Sequence, residues 1–218
     1  MLTKFSLFCL CGLVVLGLCP TFVRAEVIYS NLGPNGEFQQ GSLLSVRGPD
    51  SLDGRFDLAV RFSPGASYRL TQIDVAAVPF EPPATNAPRL ELRNEVDGLP
   101  GPVVLVANTF LDVLPVPGDL LSWLPNSEVQ LTQGANYWLV MSAALPDSET
   151  GWSLNSTGAL GVAGTDGTAW FTADTVDTPA FRVFGELVPE PVWGPIWLGA
   201  TWLFSGAGWR RRRGILGR

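Results

Sequence analysis

The chain has 218 residues, of which 46% are hydrophobic and 16% charged, and it contains 24 glycines and 18 prolines. This composition excludes a disordered chain, which needs more charge, and a long helical array, which tolerates little glycine or proline. It favours strands and turns. The two ends differ from the middle in composition, and the middle is long enough for about one domain.

The segment 1–25 has the pattern of a secretory signal peptide. Lys4 precedes an apolar run from Phe5 to Leu18, and Val23 and Ala25 supply branched and small residues before Glu26. At 1.5 Å per residue the run spans about 21 Å, too short for a hydrocarbon core of roughly 30 Å. We therefore predict cleavage between Ala25 and Glu26 by the export machinery rather than a retained membrane helix.

Cleavage there would remove whole classes of chemistry from the mature chain. All three cysteines, Cys9, Cys11 and Cys19, lie in this segment with the only lysine, and the chain has no histidine. Histidine-based triads, thiol catalysis, Schiff bases and ordinary zinc sites are excluded. A lipoprotein is disfavoured because leucine, not a small residue, precedes Cys11 and Cys19.

The segment 188–218 has the pattern of a membrane anchor preceded by an extended motif. Residues 192–209 carry no charge, and Arg210, Arg211, Arg212 and Arg213 follow. The uncharged stretch spans about 27 Å as a helix, just enough to cross a bilayer. Arginines stay on the cytoplasmic side, so the preceding domain should face outward. Before the span, Val188-Pro189-Glu190-Pro191 should be extended, because proline disfavours helix at its own position and the one before.

This order of features resembles the PEP-CTERM sorting tail of Gram-negative bacteria. Pro189, Glu190 and Pro191 match the motif, and the apolar stretch and arginine cluster follow it. The resemblance implies recognition by an exosortase, transient anchoring in the inner membrane, and delivery to the cell surface or exopolysaccharide matrix. A simple anchor with a chance tripeptide is the alternative.

The central segment, residues 26–187, has the pattern of an all-β domain. Three segments alternate between apolar and polar residues, which gives one apolar sheet face: Arg55–Phe62, Thr71–Ala77 and Arg89–Arg93. The apolar run Tyr137–Met141 predicts a central strand. Further strands are expected at Val103–Phe110, Glu128–Leu131, Gly151–Leu154, Thr168–Thr172 and Ala180–Gly185. About nine strands predict an antiparallel sandwich of the jelly-roll type.

Turns and core segments of this domain resemble the choice-of-anchor domains found ahead of sorting tails, especially type R. The resemblance is carried by the strand pair around Phe56–Val75, the turn Leu92–Gly101, and Ala135–Val140 before Gly151-Trp152. It implies a fold and an export context. The proline-rich stretch Val78–Pro88 is predicted to be an exposed loop.

Only carboxylates, hydroxyls and arginines remain for chemistry in this domain. A glycosidase would need a carboxylate pair, for which Asp147 with Glu149 or Glu91 with Glu95 are candidates. We favour a non-enzymatic protein. Trp123, Trp138, Trp152 and Trp170 are candidates for stacking on sugars, although tryptophan in strands is more often core.

Residues 26–187 hold 19 acidic residues and seven arginines, a net charge of −12. This charge disfavours nucleic acid and anionic polysaccharide as partners. The expected role is solubility, and no cofactor is expected. Calcium is an open alternative in the acidic turns predicted at Asp50–Asp53 and Asp174–Asp177, although neither has the ligand spacing of a calcium loop. Asn155-Ser156-Thr157 matches a glycosylation acceptor but is expected to be a turn.

Overall fold

The computed structural model describes residues 24–79, 86–111 and 119–189. These residues form fourteen strands and one 3₁₀ turn at Pro34–Gly36, with no α-helix. The all-β prediction is therefore confirmed. The signal-peptide core, the predicted span 192–209 and Arg210–Arg213 lie outside the described residues. Within the described ranges, no helix has the length and apolar character needed to cross a membrane.

The strands form three antiparallel sheets. The six-stranded sheet consists of β3 (Asp57–Phe62), β6 (Pro88–Val96), β7 (Leu99–Thr109), β10 (Tyr137–Ala143), β12 (Leu160–Thr165) and β13 (Trp170–Asp177). The five-stranded sheet consists of β1 (Glu26–Ser30), β4 (Tyr68–Val75), β8 (Leu121–Trp123), β9 (Gln130–Leu131) and β14 (Phe181–Leu187). The three-stranded sheet consists of β2 (Phe38–Arg47), β5 (Ala77–Pro79) and β11 (Glu149–Asn155).

The order of strands sets the neighbours of each element. In the six-stranded sheet the order is β13-β12-β3-β10-β6-β7, so β3 and β10 are central. In the five-stranded sheet β14 lies between β1 and β4, and β8 and β9 both pair with β4. In the three-stranded sheet β11 lies between β2 and β5. The first and last strands of the domain are therefore neighbours.

The two smaller sheets are joined by backbone hydrogen bonds. Ser153 N donates to Ala76 O at 2.9 Å, and Ala180 N donates to Ser153 O at 2.8 Å. A single main hydrophobic core takes side chains from all three sheets. The arrangement is that of a β-sandwich, with the six-stranded sheet on one side of the core and the joined smaller sheets on the other.

Alternation in β3 predicted its core face. Leu58, Val60 and Phe62 are all buried in the main core. Ala59 lies on the other face of β3, with Asp57 and Arg61. Ala59 is fully buried in a second cluster with Trp138, Val140 and Ala163. Its small side chain is covered by larger neighbours, with the part-buried Trp170 packed against the cluster.

The loop prediction for Val78–Pro88 is wrong at both of its ends. Val78 and Pro79 belong to β5 and pair with Gly151 and Thr150 of β11. At the other end Ala87 is buried, and its N–H donates to Ser148 Oγ at 2.8 Å. The prolines were the reason for predicting a loop, but Pro79 is tolerated because β5 is an edge strand. Residues 80–85 lie outside the described part of the chain.

Candidate functional site

The two predicted processing sites lie just beyond the ends of the folded domain. Arg24 and Ala25 are exposed and precede β1, which starts at Glu26. At the other end β14 finishes at Leu187, and Pro189 is exposed. Glu190 and Pro191 lie outside the described residues.

Strand pairing places these ends side by side. β1 and β14 are antiparallel neighbours, with Glu26 opposite Gly185. A further hydrogen bond anchors the chain just before the motif, where Val188 N donates to Ser67 O at 2.9 Å. Both ends of the domain therefore lie at the same end of the five-stranded sheet.

The face of the six-stranded sheet that points away from the main core is called the outer face here. It carries four of the seven arginines of residues 26–187, namely Arg55, Arg61, Arg89 and Arg93. Buried carboxylates lie among them. Glu91 accepts hydrogen bonds from Arg89 at 2.7 Å and from Arg93 at 2.5 and 2.7 Å, and Asp57 accepts two from Arg55. This surface is therefore polar but nearly neutral.

Glu91 does not have the electrostatics of a general acid. Burial by itself would raise the pKa of Glu91, but the hydrogen bonds from Arg89 and Arg93 outweigh burial and lower it. A general acid that works near neutral pH needs a raised pKa. The predicted partner Glu95 is also engaged, since it accepts from Trp138 Nε1 at 3.1 Å and from Asn136 Nδ2 at 2.8 Å. Both carboxylates of this pair are therefore hydrogen-bonded to side chains of the domain.

The pKa of Asp57 is shifted in the opposite direction. Burial raises the pKa of Asp57, and the hydrogen bonds and charge of Arg55 only partly offset it. One carboxylate oxygen, Oδ1, is buried and has no hydrogen-bond partner among the described residues. No pattern in the sequence indicates this burial, because Asp57 alternates with the apolar residues Phe56 and Leu58.

We expect opposite effects when these two charges are removed. Glu91→Gln should lower the free energy of unfolding at pH 7 by roughly 1–2 kcal/mol, because both arginines lose a charged acceptor while remaining partly solvated. Asp57→Asn should raise the melting temperature slightly, because it keeps an acceptor for Arg55 and removes a costly buried charge.

The pH dependence of thermal melts checks both assignments. The lowered pKa of Glu91 means that its stabilisation is present above its unfolded value near 4.5 and is lost as the pH falls through the folded pKa. The raised pKa of Asp57 means that its destabilisation develops as the pH rises above about 3.8 and is absent below it. An Asp57→Asn protein that is less stable than the wild type at pH 7 would contradict the second assignment.

A cleft of about 240 Å³ opens at one end of the six-stranded sheet. Its walls include Arg61 of β3, Trp138 of β10, and Thr172 and Asp174 of β13. Gly98, in the turn between β6 and β7, also lines it. Strands β7 and β13 are the two edges of this sheet and yet come into contact. The sheet is therefore curled, and its two edges approach each other.

Irregular pairing shapes this cleft. The register between β6 and β7 shifts between Leu92 and Arg93 and again between Arg93 and Glu95. The register between β12 and β13 shifts between Leu160 and Val162. Such bulges bend a strand and increase its twist. Gly161, at the second site, has φ of 103°, which favours glycine, and it lines the cleft without a side chain.

The predicted sugar-stacking tryptophans are mostly in the interior. Trp123 and Trp152 belong to the main core, and Trp138 is only 4% exposed, as expected for core tryptophans. Trp170 is partly exposed on β13. The four rings therefore do not form a shared exposed platform.

The other acidic candidates form local hydrogen bonds or ion pairs, or belong to a strand. Glu149 accepts from Ser45 Oγ at 2.7 Å, and Asp53 pairs with Arg47 at 2.6 Å. The turn predicted at Asp174–Asp177 is wrong, because these residues belong to β13. Among the described residues, no three histidine, cysteine, aspartate or glutamate side chains are grouped so as to hold a metal ion.

The cleft is the site that sequence reasoning missed. Alternation placed Arg61 on the polar face of β3, but no periodic pattern relates β13 or the β6–β7 turn to it.

No family model matches the chain, and no curated protein matches it significantly.

Proposed function

We propose that this chain is the precursor of an exported, non-enzymatic surface protein of a Gram-negative bacterium. An exosortase recognises Pro189-Glu190-Pro191 and removes the tail, after which the domain serves a structural or adhesive role at the surface or in the exopolysaccharide matrix. In this proposal the domain is a jelly-roll sandwich of the choice-of-anchor type, and residues 192–209 are a temporary membrane span.

The observation that carries this proposal is the position of the two processing sites. The strands of the described residues run from Glu26 to Leu187, so predicted cleavage after Ala25 and at the motif removes none of them. The backbone pairs that hold the last strand are made before Val188, with β1 on one side and β4 on the other. Loss of the tail should leave these pairs intact.

The pairing of β1 with β14 supports the proposed topology. A precursor with an uncleaved signal peptide and a C-terminal span would enter the same membrane at both ends. Glu26 and Gly185 are opposite each other in neighbouring strands, so both ends can reach one membrane surface without unfolding any strand. The arginines after the span would then stay in the cytoplasm.

The C-terminus of the protein made in its own cells tests the proposal. We expect mass spectrometry to find that the wild-type protein lacks the residues from Trp193 to Arg218. Pro189→Ala combined with Glu190→Ala should leave an unprocessed form in the inner membrane, because the extended proline-framed segment no longer fits a protease groove. The matched control is Glu186→Ala, which removes a carboxylate upstream of the motif that forms an ion pair with the exposed Arg69.

The double variant should have the same melting temperature as the wild-type precursor, because Pro189 and Glu190 follow the last strand. Unchanged folding with lost processing therefore separates a recognition defect from a misfolded domain. Recovery of an intact Arg218 terminus from wild-type cells that contain an exosortase contradicts the sorting proposal and leaves an ordinary anchored protein.

A further inference from the structure

The cleft at the end of the six-stranded sheet is lined by polar side chains of β1, β3 and β13. Within the described part of the chain, the hydroxyls of Tyr29 and Thr172 and the carboxylate of Asp174 make no hydrogen bond or ion pair. The ion pair of Arg61 is with Glu95 at 3.6 Å, too long for a hydrogen bond. Two hydroxyl side chains, one guanidinium and one carboxylate therefore belong to residues that line the same cleft.

Neighbouring side chains orient Arg61 but leave its N–H groups accessible. Its guanidinium lies 5.9 Å from the centre of the Trp138 ring, in cation–π geometry. The Trp138 ring is itself fixed by the hydrogen bond from Nε1 to Glu95 at 3.1 Å. The side chain of Arg61 is still 55% exposed. Its N–H groups are therefore oriented and available to a ligand.

The size and lining of the cleft limit what can bind. Its volume of about 240 Å³ is below the roughly 300–1,000 Å³ of sites that hold drug-sized ligands. Trp138 and Val162 supply an apolar wall. At Gly98 and Gly161 an added Cβ atom would meet no other atom, so these positions border open space. The cleft suits one small ring that has many hydroxyls and an apolar face.

The charges favour an uncharged ligand over an anionic one. The unpaired carboxylate of Asp174 lies in the cleft wall and would repel a uronate. The net charge of −12 on residues 26–187 would also repel an anionic polymer at long range. A sugar hydroxyl can instead donate to Asp174 and accept from Arg61 at once.

We propose that this cleft binds one uncharged sugar unit of a polysaccharide, with Asp174 accepting from and Arg61 donating to its hydroxyls. This inference does not depend on the proposed sorting, since it concerns the folded domain and not the tail. Sugar recognition in this cleft would depend on hydrogen bonds and not on stacking against exposed tryptophans. A sugar site would also give an adhesive domain a defined contact with a matrix.

Saturation-transfer NMR on the full chain in micelles tests the proposal, with a detergent that has no sugar headgroup. The probes are glucose, galactose, mannose and N-acetylglucosamine, with glucuronate as the charged comparison, all at millimolar concentration. We expect signal from at least one uncharged sugar and a weaker signal from glucuronate. Absence of signal from every uncharged sugar, or binding of glucuronate alone, overturns the proposal.

Variants locate the binding. Asp174→Asn should weaken it about tenfold, the equivalent of about 1.4 kcal/mol, because a charged acceptor is lost. Thr172→Trp should abolish it by filling the cleft from an exposed strand position that tolerates an aromatic residue. The matched control, Asp50→Asn, changes an exposed aspartate in a turn outside the cleft and should bind as the wild type does. Equal binding by the Asp174→Asn and Asp50→Asn proteins overturns the assignment of the site.

Discussion

Trp152→Ala should lower the free energy of unfolding by about 3–5 kcal/mol, the range found when a large buried aromatic residue is truncated. Trp152 is fully buried on β11 and contacts the Phe181 ring edge-on, with 6.5 Å between ring centres. Its Nε1 donates to Ala180 O at 3.0 Å. The change removes core packing and leaves a buried carbonyl with one hydrogen bond fewer. Urea unfolding of the full chain, followed by circular dichroism, measures the loss.

Trp170→Ala is the matched control. Trp170 is partly exposed and packs only against the small cluster around Ala59 and Val140. Its truncation should cost about 1 kcal/mol, because little apolar area leaves a buried environment. Equal losses in the two variants would contradict the assignment of Trp152 to the main core and Trp170 to the surface.

Asn155→Ala should be destabilising by about 2–4 kcal/mol, although it removes only a small polar side chain. Asn155 is fully buried, and its Nδ2 donates to Thr178 O and Ala159 O, both at 2.8 Å. Its Oδ1 accepts from the backbone N–H of Thr157 at 2.9 Å and of Ala159 at 3.0 Å. Alanine would leave several of these groups buried without partners, and each unsatisfied group costs about 1–3 kcal/mol.

The comparison with Asn136→Ala isolates this effect. Asn136 makes one hydrogen bond, to Glu95, at an exposed site, so its loss should change stability by less than about 0.5 kcal/mol. The same unfolding measurement serves for both. A small effect of Asn155→Ala would mean that water replaces the side chain in the loop. Asn155 is the last residue of β11, and the chain bends at Ser156 and Thr157, so the predicted turn begins one residue later. The fully buried side chain of Asn155 leaves no room for a glycan in the folded domain.

Alternation predicted β3 and β6, and a continuous apolar run predicted β10, which is buried on both faces. In β3 and β6 apolar residues at every second position face the main core, so alternation identified both. β2 escaped prediction because most of its ten residues are exposed or only half-buried, and Gly41 interrupts it with φ of 88°. β12 contains Gly161 and Gly164, which usually indicate turns, but Gly164 is there because Phe56 and Phe171 leave no room for a Cβ atom.

The candidate sites also differ in whether the sequence alone can predict them. The proposed processing motifs are contiguous in sequence, so Ala25-Glu26 and Pro189-Glu190-Pro191 could be named without a fold. The cleft depends on contacts between segments far apart in the chain, such as Arg61 with Trp138 and the β6–β7 turn with β13. Its shape depends on register shifts, and these leave no periodic signal in the sequence.

The central position of β14 determines when the domain can finish folding. Phe181 and Val183 are fully buried in the main core, and their strand forms the ladders to both β1 and β4. Until this last strand arrives, β1 has no neighbour and the core stays open, so the pairing that closes it joins residues more than 150 positions apart. Such non-local topologies fold slowly. A chain synthesised from its N-terminus therefore remains incomplete, and suited to threading through a narrow channel, until nearly all of the domain has been made.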